Sequence, residues 1–344
     1  MSKIAIGREM VDLAPIFQAL PERNYLMNAL DLFDGVGVQN PKVVVTQLLD
    51  DNYSLFNTPQ SRYSSNHDTT ARQNGKEYLV EIPWFAREDE FKPVDVQGKR
   101  IQGTDYEQTV TDLYTEYTGK HKIAYLRTRE SYLARCLFKG EVATPATDDL
   151  LISYAELFGV VPMTASVSTA TAAQDFDAIL DKVQAAASGL AGQIERVIVF
   201  AKPTAFSQIR FSDSMAKAFT YVAPYDERNL FYQRHELLPG VSTFSLPGSP
   251  VDFVKVTDPL ILAQMPDDAD MVAVPVFSKG NSNPYKTVYG AASGNFALID
   301  AAPAEYYSWG YLSERGDAYH VMHENSALPV NHALGMQVKI TITA

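Results

Sequence analysis

The chain is 344 residues long, 46% hydrophobic and 20% charged, which is enough apolar content for one elaborated domain or about two and too ordinary a charge density for wholesale disorder. Its formal net charge of −12 excludes a surface built to grip nucleic acid by phosphate neutralisation, while a wall around nucleic acid stays compatible with it. The lone Cys136 excludes an intrachain disulfide and a cysteine zinc site, and suits folding in a reducing cytosol. The opening MSKIAIGREMVDLAPIF lacks the continuous apolar stretch of a signal peptide. No segment approaches the roughly 18 apolar residues of a membrane span, so a soluble, not conventionally secreted protein is expected.

Residues 1–41 read as an arm. Met10, Leu13, Ile16, Phe17 and Leu20 recur at helical steps until Pro21, and a turn-rich connection with Gly35, Gly37 and Pro41 follows. Lys42–Leu49 and Tyr78–Phe85 are rich in β-branched and aromatic residues and predict two strands. Between them Asp50–Glu77 is polar and far longer than a hairpin connection. It reads as a projecting β-loop able to reach a neighbouring copy, or as a plain surface loop.

The stripe Tyr106, Val110, Leu113, Tyr117, Leu126, Leu133 and Leu137 predicts one helix over 104–138 with no proline inside it, about 45 Å long at 1.5 Å per residue. Glu107, Glu116, Lys120, Lys122, Arg127, Arg129 and Arg135 form its expected polar face, and Gly140 its C-terminal cap. Short strands are expected over Asp149–Val161, with a break at Gly159 and a low-complexity connector at Thr164–Ala173. The remainder has an α/β texture. A helix spans Phe176–Leu190, a buried strand Arg196–Ala201, and a second helix runs from Lys202-Pro203 to about Phe219. Strands then fall at Val251–Val256, Asp270–Phe277 and Lys286–Ala292, and the final MQVKITITA alternates apolar and polar.

Chemical motifs are sparse. Asp34-Gly35-Val36-Gly37 lacks the third glycine of a dinucleotide loop and the lysine of a P-loop, and reads as a turn. His320 and His323 fit no zinc-protease spacing, and on a strand they point to opposite faces. Asp267, Asp268 and Asp270 lack the glycine and distant glutamate of a calcium loop. Neither a nucleophile elbow nor a lipase-type oxyanion stretch is present. No catalytic residue, metal site or cofactor is assigned.

The order of these segments resembles the major capsid proteins of tailed bacteriophages, in particular the lambda-type coat protein (major capsid protein E) family. NPKVVVT (Asn40–Thr46) looks like the family's entry strand into its extended loop, and ARCLFKGEV (Ala134–Val142) like its helix end and Leu-x-Lys-Gly-type turn. IERVIVFAKPTAFSQIR (Ile194–Arg210) is similar to a Val-Asn-x-Ile-Val-Phe-Asp-Pro-x-Gly-like segment, but Phe200-Ala201-Lys202-Pro203 lacks its aspartate. LPGSPVDFVKV (Leu246–Val256), MPDDADMVAVP (Met265–Pro275) and HENSALPVNHALGMQVKITITA (His323–Ala344) resemble the following strand, the Leu-Pro-Asp-Asn-x-Met-Val segment and the closing strand. The first ~40 residues match in character only.

The resemblance implies an α+β, Hong Kong 97-type phage capsid fold: an N-terminal arm (1–41), an extended β-loop (42–103), a spine helix with peripheral-domain strands (104–165), an axial α/β domain (166–322), and a C-terminal strand returning to the peripheral domain (323–344). It implies a non-enzymatic protein that assembles with itself as pentamers and hexamers into an icosahedral head. That head encloses double-stranded DNA without sequence-specific binding and without a membrane. The chain would reside in the virion and, during assembly, in the host cytoplasm. Decoration, portal and scaffolding proteins are further candidate partners. Trp84, Arg87 and Glu88 at the loop base place aromatic area beside charge, and the basic Arg62, Arg72 and Lys76 of an otherwise acidic chain are candidates to set register between copies. For Trp84 an ordinary core position is the alternative. Two other readings stand beside this one: a cellular nanocompartment shell of the same fold, and a β-rich carbohydrate-active protein whose polar loop is a lid.

Overall fold

In the computed structural model the described residues are 11–12, 25–46, 77–97, 110–144, 146–220, 241–280, 283–298 and 301–343. The chain opens with β1 (Val11–Asp12), a short helix α1 (Leu26–Leu30), β2 (Asp34–Gly37) and β3 (Lys42–Thr46). Next come β4 (Glu77–Glu81), β5 (Trp84–Phe91), the single turn α2 (Pro93–Val96) and the long helix α3 (Val110–Lys139). A hairpin of β6 (Glu141–Ala143) and β7 (Leu150–Ser153) leads through α4 (Tyr154–Phe158) to β8 (Met163–Ser168), α5 (Ala172–Ala187), β9 (Ile194–Ala201), α6 (Pro203–Arg210) and α7 (Asp213–Thr220). The rest is β10 (Thr243–Ser245), β11 (Val251–Lys255), α8 (Pro259–Leu262), β12 (Met271–Phe277), β13 (Tyr285–Tyr289), β14 (Tyr307–Leu312), β15 (Tyr319–Asn331) and β16 (Val338–Thr343).

Two six-stranded sheets organise these elements. One runs β10-β11-β9-β12-β16-β8; the other runs β1-β14-β15-β13-β2, with β5 paired to β15. In the first, strand alternation gives each face its own apolar layer. Val197, Val199, Phe253, Met271 and Ile340 meet Phe176 and Ile179 of α5 and Ile209 of α6. Ile198, Phe200, Val254, Val272 and Val274 face Leu133, Leu137 and Phe138 of α3 together with Leu328 of the other sheet. All seven residues of β12 are buried, as a central strand covered on both faces requires. The end of α3 is therefore the wedge that joins the sheets. Gly140 closes it at φ 65, its N–H donating to the Cys136 carbonyl at 3.1 Å.

Several sequence expectations change. Residues 104–109 lie outside the described residues, and α3 runs one residue beyond the expected end. Of its expected polar face, Lys122 is buried and Arg129 and Arg135 are half-buried in ion pairs, because the helix is covered on more than one side. Glu116, Lys120 and Arg127 are exposed, and Glu107 lies outside the described residues. The expected strand over Asp149–Val161 stops at Ser153. The Ser153 hydroxyl accepts from the Glu156 N–H at 3.4 Å, and Gly159 at φ 66 ends the helix so begun. The connector at 164–173 divides between an edge strand, β8 up to Ser168, parallel to β16, and a turn into α5; its composition says nothing about pairing. The helix expected up to Phe219 is broken at Phe211-Ser212, where the Ser212 hydroxyl donates to Ile209 O (2.8 Å) and accepts from Met215 N (3.3 Å).

The Asp34–Gly37 turn is instead a strand parallel to β13. Its glycines serve close approach, since a Cβ on Gly35 would lie 2.8 Å from the Tyr289 ring. The segment 323–344, which the resemblance gives as a C-terminal strand returning to the peripheral domain, contributes to both sheets. Its first part, in β15, lies in the sheet beside α3, whereas β16 pairs with β12 and β8. The bend at 332–337 is what separates them, with Asn331 Nδ2 donating to the Cys136 carbonyl and Ala333 N to Asn331 Oδ1, each at 3.0 Å.

Candidate inter-subunit surface

The ribbon formed by β3 and β4 is apolar on one face and carries one apolar pair, between Lys42–Glu81 and Thr46–Glu77, on the other. Val43 and Val45 stand opposite Val80 and Tyr78 on one face, with Val45 and Val80 buried and Tyr78 edge-on to Phe158 at 6.4 Å. On the other face Val44 stands opposite Leu79, and both are in water, 51% and 66% exposed. Two strands can bury only one face, so this outward pair is apolar area left without cover. The ribbon turns into β5 at Ile82, whose N–H donates to Pro41 O at 2.9 Å.

Beside β4 lies an open groove of about 920 Å³, walled by Leu79, Trp84, Leu151 and Leu157 and carrying two charges, Glu81 and Glu156. Its far wall is the β6–β7 hairpin, whose Leu150 and Leu151 are also exposed. Arg135 fastens that hairpin to α3, reaching Glu141 at 3.0 Å and Asp148. On the other side of Trp84 a second groove of about 650 Å³ is floored by Gly290–Gly294 and walled by Phe296, which is 93% exposed. Its floor is fixed by the buried Glu324 carboxylate, which accepts from Ser293 N at 2.6 Å and Gly294 N at 2.8 Å.

The sequence-predicted contact residues divide among different places. Trp84 is half exposed and separates the two grooves, so it is not a core residue. Arg87 points to the opposite face of β5, 3.8 Å from Asp89, toward a cavity of about 410 Å³ shared with His121 and His323. Glu88 is exposed and bonded within its own chain, accepting from Tyr311 Oη at 2.9 Å and lying 2.7 Å from His320 Nδ1. Arg62, Arg72 and Lys76 lie outside the described residues. Val44, Leu79, Leu150, Leu151 and Phe296 were not singled out by sequence. The available signal was the unbroken run Val43-Val44-Val45, since a continuous apolar run in a ribbon with one covered face leaves its middle residue outside.

Two buried polar joints hold α3 to its neighbours. Glu130 accepts from Met27 N at 2.5 Å and Asn28 N at 3.0 Å, tying α1 to α3. Burial pushes its carboxyl up to about 7, against the pull of those two N–H donors. On the sheet side His121 bonds Asp89 at 2.6 Å. His323 packs against Tyr125 at 5.6 Å and His121 at 6.2 Å. Burial first, then the neighbouring His121 and Arg87, pushes His323 down to about 3, and burial likewise lowers His121. His320 and His323 do lie on opposite faces of β15, and among the described residues no three acidic, histidine or cysteine side chains are grouped to hold a metal.

What these features define is an assembly protein: the sheets, the long helix between them and the uncovered apolar ribbon have the Hong Kong 97-type capsid architecture. The match is shared by the capsid of bacteriophage PhiM1 (TM-score 0.51, 10% identity, 94% of this chain and 89% of that one). It extends to the capsid of a native GTA particle (TM-score 0.52, 10% identity, 94% and 93%). A prophage protein of E. coli CFT073, provisionally described as a capsid protein, matches too (TM-score 0.53, 13% identity, 97% and 99%). The family model for phage major capsid protein E matches residues 9–342, and the chain belongs to that family: it is a shell-forming major capsid protein. No curated protein sequence matches it. Among the described residues no helix is long and apolar enough to cross a membrane.

Proposed function

We propose that copies of this chain close as pentamers and hexamers into the icosahedral head of a tailed bacteriophage around double-stranded DNA, assembling in the host cytoplasm and performing no catalysis. Residues 1–41 act as the arm, 42–103 as the extended loop, 104–165 as the spine and peripheral part, and 166–322 as the axial domain. The carrying observation is the outward Val44–Leu79 pair with Trp84 beside it, half or more exposed on a well-formed ribbon. Apolar area held in water on a rigid element is favourable only once a neighbour covers it, and a closed symmetric arrangement multiplies such modest contacts. Arg62, Arg72, Lys76, Arg87 and Glu88 set register in this reading rather than supply affinity. The net charge of −12 limits adhesion of DNA to the wall. Decoration, portal and scaffolding proteins dock on the finished or growing shell.

Negative-stain microscopy and native mass measurement of the expressed chain test the reading. Shells, or rings of five and six, are expected. Leu79→Asp, which places a charge in the pair, should leave a folded chain that no longer forms them. A stable wild-type monomer would end the proposal.

A further inference from the structure

The break between α6 and α7 holds an aromatic ring in solvent on a fixed turn. Phe211 is 78% exposed, yet its neighbours are anchored: Ile209 and Met215 are fully buried, and Ser212 bonds in both directions between them. The Phe211 N–H donates to Ser207 O at 3.1 Å, and the exposed Arg210 guanidinium lies 5.6 Å from the ring centroid. The side chain is thus an aromatic knob on an anchored turn with a cation at its flank; Asp213 follows at the first turn of α7, where the helix dipole favours it. The groove beside β4 has the converse chemistry, with apolar walls at Leu79, Trp84, Leu151 and Leu157 and, among the described residues, only acidic charges, Glu81 and Glu156.

Knob and groove share no residue and belong to different cores of one chain, the knob to the α5–α6 layer and the groove to the ribbon layer. We infer that the Arg210–Phe211 knob of one copy seats in the β4 groove of the next, with Arg210 beside Glu81 and Glu156. A contact between two different patches is head-to-tail, and repetition of such a contact closes a ring when its rotation allows. Phe296, the other highly exposed phenylalanine among the described residues, is itself a wall of the second groove and so offers a surface rather than a knob. The inference rests on the shell reading and names which faces meet inside one ring.

The test uses full-length chains, whose own Cys136 is fully buried. Phe211→Cys and Leu151→Cys are expressed separately and co-assembled, then mildly oxidised. A covalent dimer on a non-reducing gel is expected, and the doubly substituted chain should give a ladder. Both positions are exposed, so folding is not at stake. As a second arm, Arg210→Glu should lower particle yield at least tenfold, and adding Glu81→Lys with Glu156→Lys should recover it. Wild-type particles that form while the co-assembled pair gives no dimer overturn the inference and leave the shell reading standing. Absence of wild-type particles overturns the shell reading itself.

Discussion

Two buried titratable residues join the long helix to different neighbours, Glu130 to α1 and His323 to the sheet, and they pull stability in opposite directions with pH. Glu130 is raised from an ordinary 4.5 to about 7, so the folded chain holds its proton more tightly than the unfolded chain does. Its contribution is complete below the ordinary carboxylate range and is lost as pH rises through 7. His323 is lowered from 6.5 to about 3. Its contribution is complete above 6.5 and is lost as pH falls toward 3, and His121, lowered for the same reason, adds to that slope. His332, lowered by burial to about 4, adds to the same rising slope, and Glu130 opposes all three histidines. Substitution should separate the contributions. Glu130→Gln leaves a chain whose stability rises more steeply with pH, whereas His323→Phe loses one rising contribution, keeps those of His121 and His332, and has the shallower slope. The expected divergence is on the order of 1–3 kcal/mol, measured by denaturant titration at each pH. Parallel curves for the two variants would show that neither joint titrates as its burial requires.

At the scale of the element, the apolar groove depends on how firmly its walls are held. The β6–β7 hairpin has few neighbours beyond α3, and Arg135 is its fastening, half-buried with Glu141 at 3.0 Å on one side and Asp148 on the other. Arg135→Met keeps the aliphatic stem and removes the charge, leaving Glu141 without its partner. A loss of ~1–2 kcal/mol is expected, with amide exchange rising in β6 and β7 before it rises in the sheets. Equal protection in the variant and the wild type would mean that packing alone holds the hairpin. Gly140, the residue that turns α3 into this hairpin, has less latitude. Its φ of 65 strains any other residue, and a Cβ there would stand 2.6 Å from the buried Leu334 side chain. Gly140→Ala should therefore cost ~2 kcal/mol or more, visible as a lowered denaturation midpoint.

These elements also show what a sequence exposes and what it hides. The long helix and its glycine cap were legible because a stripe of period 3.6 and a positive-φ residue are local properties. The strands Arg196–Ala201 and Asp270–Phe277 were legible because a strand covered on both faces is apolar throughout. Met163–Ser168 was not, because its strand character comes from pairing with β16, more than 170 residues away. Nor were the burial of Lys122 and Arg129, since a periodic stripe marks the most apolar side of a helix and does not count how many sides are covered. Trp84 was picked out by its type, and only its exposure is seen in the structure. Leu151 and Phe296 were not, because exposure is decided by what happens to stand nearby in three dimensions.

For the whole molecule the question is what opposes assembly once apolar patches favour it. Each copy brings a net charge of −12, so every added subunit meets a like-charged array. That repulsion acts over a distance which salt shortens, from about 30 Å at 0.01 M to about 8 Å at 0.15 M. The contacts that favour closure are of a different kind. On the proposed interface Val44, Leu79, Trp84 and Leu151 contribute by leaving water, a driving force that moderate salt does not weaken. Ion pairs at the rim, such as those offered by Arg87 or Arg210, are exposed and worth little individually. Salt therefore removes more repulsion than attraction. Purified subunits held at low ionic strength should assemble faster and to a higher yield as monovalent salt is raised toward physiological strength, followed by light scattering and checked by microscopy. Leu79→Asp subunits should scatter no more at the higher salt than at the lower, because screening cannot replace the area that the substitution removes. Shells that instead fall apart as salt is raised would show that specific charge pairs, and not the uncovered ribbon and its groove, hold the copies together.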